Sequence, residues 1–126
     1  MYKSDQKKVL AVVDDLFFTV KINDAAKRLG MEIEFLKSGQ DLLEKARQNA
    51  SLIILDLNAN SVAPLEVITS LKADPELRRI RLISYLSHVQ GELKQKAHEA
   101  GCDMVMARSA FSQNLVQLLK RHAGIL

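Results

Sequence analysis

The sequence predicts an α/β domain, doubly wound, on a five-stranded parallel sheet of strand order 2-1-3-4-5. Three observations carry that prediction. Short apolar runs alternate with helix-period segments at a spacing of roughly 20 to 25 residues. Most of those runs are apolar at every position, as strands covered on both faces must be. The second run instead alternates apolar and charged residues, which suits an edge strand and favours an open sheet over a closed barrel.

The first run is Val9-Leu10-Ala11-Val12-Val13, followed by Asp14-Asp15. Phe18, Ile22, Ala25, Ala26 and Leu29 then fall on one helical stripe that stops at Gly30. In the second run Met31, Ile33 and Phe35 lie opposite Glu32 and Glu34. Ser38 stands three residues before Asp41, a capping arrangement, with Leu42, Leu43, Ala46 and Ala50 on the core side of the next helix. The third run, Leu52-Ile53-Ile54-Leu55, ends at Asp56. A polar loop leads to Pro64, suited to a first helical turn, then to Leu65, Ile68 and Leu71, and Asp74-Pro75 should end that helix. The fourth run is Ile80–Leu86; a helix through Leu93, Ala97 and Ala100 follows, closed by Gly101. The fifth is Cys102–Met106, with one last helix through Phe111, Leu115, Leu118, Leu119 and His122. Phe17 and Phe18 are expected to pack in the core and first helix, and His98 to face water.

Composition narrows the function classes. The 126 residues suit one domain, and residues 1–126 are read as a single domain with no output domain attached. With 48% hydrophobic and 26% charged residues the chain is globular, not disordered. No apolar run approaches the roughly 20 residues of a membrane span. The start, Met1 to Lys8, is polar, and the apolar stretch behind it is too short for a signal peptide. A lone Cys102 cannot form an internal disulfide, which fits a cytoplasmic location. Eighteen Lys and Arg against 15 Asp and Glu give a formal charge of +3, but the basic residues are scattered and no nucleic-acid motif accompanies them.

Ligands of open α/β sheets bind beyond the carboxyl ends of the strands, where the winding direction switches. Here that point lies between the first and third strands, and Asp14, Asp15 and Asp56 stand there. Each alone is also readable as a helix-start or loop aspartate. Together they would repel one another, a conflict that an oxygen-seeking cation such as Mg²⁺ relieves. Ser87 at the fourth strand end adds a hydroxyl, and Arg108 at the fifth adds a fixed positive charge. Acids, a hydroxyl and a cation around one crevice suit a phosphoryl group. A flavin- or nucleotide-binding enzyme on this topology would need a Gly-rich loop after the first strand, and there is none.

These residues resemble the receiver domain of two-component response regulators, over essentially the whole chain. The resemblance implies a flavodoxin-like (βα)5 fold. It implies that Asp14 and Asp15 are the acidic pair holding Mg²⁺, that Asp56 is the phosphorylated aspartate, and that Asn58 offers a backbone carbonyl to the metal. It implies that Ser87 bonds the phosphoryl oxygens. Ala73-Asp74-Pro75-Glu76 and Ala100-Gly101-Cys102-Asp103 also match the family's loops.

The departures are specific. Receivers carry Lys, usually followed by Pro, where this chain has Arg108-Ser109, so a trans peptide or a rebuilt loop is expected there. Arg108 either clamps a phosphoryl group or pairs permanently with Asp56. Val105 stands where the family has an aromatic switch residue, Ala63-Pro64 where Asp-Gly is common, and bulky His88 beside Ser87. The expected function is a stand-alone receiver phosphorylated on Asp56 by a histidine kinase or phosphotransfer protein. Its output would be a change around the last two βα units, including Phe111, read by a downstream protein. The alternative is a degenerate pseudo-receiver, a protein-interaction module that needs no phosphate.

Overall fold

The computed structural model describes residues 8–48, 50–87 and 91–122; the N-terminal residues before Lys8, and His88, lie outside them. Five parallel strands, β1 (Lys8–Val12), β2 (Glu32–Phe35), β3 (Leu52–Asp56), β4 (Arg81–Leu86) and β5 (Met104–Ala107), form one sheet in the order β2-β1-β3-β4-β5. The helices are α1 (Leu16–Arg28), α2 (Gly39–Ala46), α3 (Pro64–Ala73), α4 (Gly91–Ala100), α5 (Arg108–Gln113) and α6 (Leu115–His122). The doubly wound fold expected from the sequence is the fold observed.

The continuous apolar strands are explained by what covers them. Side chains alternate across a strand, so Leu10, Val12, Ile53 and Leu55 face the layer formed by α2, α3 and α4. Val9, Ala11, Leu52 and Ile54 face the opposite layer, where Phe18 and Ile22 of α1 meet Phe111, Leu115 and Leu119. Burying a side chain such as Ile22 contributes roughly 1.5–3 kcal/mol, so these two apolar layers dominate the stability. Strand β2 sits at the edge, as its alternation implies. Its Glu34 reaches solvent-side partners, Lys8 at 3.1 Å and Lys45 at 3.5 Å.

Helix punctuation follows the sequence closely. The Ser38 hydroxyl accepts a bond from the Asp41 N–H at 3.0 Å, Pro64 opens α3, and Gly30 adopts φ +69° after α1. Gly101 closes α4 at φ +112°, a value that an L side chain rarely tolerates.

Several boundaries differ from expectation: β1 runs from Lys8 to Val12 and leaves out Val13, and α2 ends at Ala46, short of Ala50. Strand β4 starts at Arg81, leaving Ile80 in the preceding turn. Strand β5 starts at Met104, two residues after the expected Cys102. There the Asp103 carboxylate accepts the Leu82 N–H at 2.8 Å and the Lys72 ammonium at 3.0 Å, so residues 102 and 103 brace the start of β4. The Cys102 thiol is buried, 3.0 Å from the Ser84 hydroxyl. The single last helix is two helices broken at Asn114, at φ −110° and ψ 15°. The Asn114 side chain bonds the Ala110 carbonyl at 2.8 Å, in competition with its own backbone N–H.

Candidate functional site

The carboxyl ends of β1, β3, β4 and β5 bring Asp14, Asp15, Asp56, Ser87 and Arg108 to one end of the sheet. Asp56 is the last residue of β3, in register with Tyr85, and only 7% exposed. Its carboxylate accepts the Asn58 backbone N–H at 2.8 Å, a tight local turn. Burial pushes the Asp56 carboxyl above the ordinary aspartate range, and the negative charge of Asp14 adds to the effect. The backbone N–H groups of Asn58 and Asp14 oppose it.

Asp14 is turned across the crevice. Its carboxylate accepts the Asn60 N–H at 2.6 Å, the Ser61 N–H at 3.3 Å and the Ser61 hydroxyl at 2.8 Å. These bonds, that from Asn60 foremost, hold its carboxyl below the ordinary range. Asp15 is the N-cap of α1, accepting the Phe17 N–H at 2.8 Å, so the helix-start reading holds for it as well. Its other oxygen forms an ion pair with Arg108. The Arg108 guanidinium also lies over the Phe18 ring, 4.5 Å from its centroid.

Two features of Arg108 bear on what was expected of it. Its peptide link to Ser109 is trans, since the described residues contain no cis bond. Its carboxylate partner is Asp15, not Asp56. The first residue of α5 is anchored over α1 by Phe18, and this directs the guanidinium to the α1 cap.

Asn58 does more than the resemblance implied. While its N–H serves Asp56, its side-chain Oδ1 accepts the Ser87 N–H at 2.8 Å. It thus ties the β3 and β4 ends together and sets the position of Ser87. Neither this brace nor the Ser61 contact with Asp14 was legible in the sequence, because both depend on how two loops meet.

Beneath the crevice lies a residue the sequence reading passed over. Tyr85 stacks on Phe111 at 4.8 Å and packs against Phe18 at 5.0 Å. Its hydroxyl is buried with no hydrogen-bond partner among the described residues. Burial, reinforced by Asp56 and Asp14, pushes the phenol far above its ordinary range. A tyrosine inside an apolar run was the available signal. Phe111 belongs to the same stack and is 1% exposed, part of the core and not of the surface. Phe17, expected in the core, is exposed instead beside Leu16 and Val20 on the outer side of α1, because the helical stripe selects Phe18.

The expected metal set is Asp14, Asp15, Asp56 and Asn58. All are oxygen donors, which suits Mg²⁺ chemically. These residues would hold the ion only once their side chains turn toward it: among the described residues no three His, Cys, Asp or Glu side chains converge on a metal position. The physical reason is that Asp14 is committed to Asn60 and Ser61, and Asp15 to the α1 cap and Arg108. Among the described residues, no helix is long and apolar enough to cross a membrane.

No family model matches the chain. It is 26% identical, over 93% of its length and 97% of theirs, to the polar-differentiation response regulators DivK of Brucella ovis and Brucella suis. Among solved structures it resembles the phosphorylated cyanobacterial phytochrome response regulator RcpA, with a TM-score of 0.83 at 19% identity over 96% of each chain. It also resembles the Mn²⁺-bound response regulator Rcp1, with a TM-score of 0.80 at 17% identity over 95% of this chain and 96% of that one. The chemotaxis response regulator CheY4 of Vibrio cholerae gives 0.78 at 21% identity over 92% and 98%. The resemblance read from Asp14-Asp15, Asp56, Asn58 and Ser87 is borne out.

Proposed function

Taking the chain as a receiver domain of the response-regulator type, we propose that it accepts a phosphoryl group on Asp56 from a histidine kinase, a phosphotransfer protein or a small phosphodonor. The single observation that carries this reading is Asp56 itself: a carboxylate at the winding switch point, nearly buried and oriented by Asn58. A carboxylate oxygen attacks the phosphorus of the donor, the bond from phosphorus to the donor nitrogen or oxygen breaks, and an acyl phosphate forms. Ser87, braced by Asn58, stands at the adjacent strand end to donate to a phosphoryl oxygen. Arg108 stabilises the same group only by leaving Asp15.

The exposed apolar face of α1, made by Leu16, Phe17 and Val20, begins one residue after Asp15 and supports docking of the donor protein beside the crevice. The output goes to a downstream protein, and a cytoplasmic location accords with this role. Incubation with acetyl phosphate, with and without Mg²⁺, followed by intact-mass measurement, should give one labile phosphoryl adduct that Asp56→Asn loses.

A second reading, the phosphate-independent pseudo-receiver, is favoured by one observation: Asp14 and Asp15 are already satisfied by partners from within the chain. It predicts no adduct under conditions that label an ordinary receiver.

A further inference from the structure

The acidic crevice already holds a cation that belongs to the chain itself. Asp15 is one of the two acids of the pair that the resemblance assigns to the metal, and Arg108 is paired with it. The pairing is built rather than incidental. One Asp15 oxygen is fixed by the Phe17 N–H at 2.8 Å, which leaves the other to Arg108. The guanidinium plane is supported by the Phe18 ring, 4.5 Å from its centroid, and that ring is itself packed on Tyr85 and Phe111. Arginine stays charged at every physiological pH, so this partner does not titrate away.

We infer that Arg108 is a built-in cation of the crevice that competes with divalent metal ions for Asp15. A tethered guanidinium is present at high effective concentration and has to be displaced before Asp15 can turn to a metal. Once displaced, it is repelled by the dication and released from Phe18. Metal occupancy and the Arg108 position are therefore linked, and each weakens the other by the same factor. The side chains of the pair are 37% and 30% exposed, so the competition is moderate and reversible, not a permanent lock. This linkage does not depend on Asp56 accepting a phosphoryl group, and metal binding alone tests it.

The experiment titrates Mn²⁺ into the full chain and follows the free aqueous ion by electron paramagnetic resonance. Arg108→Met keeps an unbranched stem over Phe18 and removes the charge. It should bind Mn²⁺ roughly tenfold tighter than the wild type, a difference of about 1.4 kcal/mol. Adding Asp15→Asn to Arg108→Met should abolish that gain. Equal or weaker binding by Arg108→Met overturns the inference, and so does a gain that survives Asp15→Asn. A wild-type readout guards against a variant that fails to fold. The Arg108 side-chain N–H resonance should move during a Mg²⁺ titration with the same midpoint as metal occupancy; a resonance unmoved at saturation also overturns it.

Discussion

Replacing Tyr85 by Phe removes one oxygen from the floor of the crevice and tests whether that floor is as dry as it looks. The ring is held between Phe18 at 5.0 Å and Phe111 at 4.8 Å, and the residue is 1% exposed, so Phe fills the same space without a cavity. The hydroxyl has no partner among the described residues. Burying an unsatisfied hydroxyl costs about 1–3 kcal/mol, and that cost disappears in the variant. Tyr85→Phe should therefore be more stable than the wild type by about 1 kcal/mol or somewhat more. For a domain of this size that corresponds to a Tm rise of roughly 3–6 °C. Urea unfolding followed by circular dichroism, at unchanged slope, measures it directly. A loss of about 0.5 kcal/mol or more would refute the reasoning, because it would mean that the hydroxyl has a stabilising partner beside Asp56.

Two further predictions concern charge and backbone. The Asp56 carboxyl is raised by burial, so the folded state binds its proton more tightly than the unfolded chain does. Its penalty is absent below the unfolded value, develops as pH rises toward the folded value, and is complete above it. Asp56→Asn should then be more stable than the wild type at neutral pH, with the advantage shrinking in acid; an advantage that grows in acid contradicts this sign. Gly101→Ala combines φ +112° with an added carbon only 2.8 Å from Lys72 Cγ. Lys72 is held by the Arg78 and Ile80 carbonyls and by Asp103, so it yields only by breaking those bonds. A cost of about 2–3 kcal/mol in the urea midpoint is expected, against about 1 kcal/mol for Gly30→Ala, which sits in open space at φ +69°.

The sheet was legible because β1 and β3 are buried on both faces and so read as unbroken apolar runs, while β2 alternates and announces an edge. Caps were legible because Ser38, Pro64, Gly30 and Gly101 act within a few residues of themselves. The start of β5 was not, since Cys102 is as apolar as a strand residue, but its N–H bonds the Ala97 carbonyl at the end of α4 and Asp103 is held by Leu82 and Lys72. Nor was the break at Asn114, where one side chain competes for a helical carbonyl.

In the site, the placement of Asp14, Asp15, Asp56, Ser87 and Arg108 at one end of the sheet followed from topology. Which of them bond to which did not follow. The pairing of Arg108 with Asp15 depends on the α5 anchor over Phe18, and that of Asp14 with Ser61 on a loop path. Phe17 and Phe18 are neighbours in sequence with opposite fates, decided by helical phase alone.

Asp56 is the residue proposed to accept the phosphoryl group. An acyl phosphate is cleaved by hydroxylamine, whose nitrogen attacks the acyl carbon and expels phosphate, leaving a hydroxamate on the residue that carried the phosphoryl group. Treating the chain with acetyl phosphate, then hydroxylamine, and sequencing the peptides by mass spectrometry should place the hydroxamate on Asp56 and nowhere else. A chain that carries none, or carries it on Asp14 or Asp15, contradicts the account.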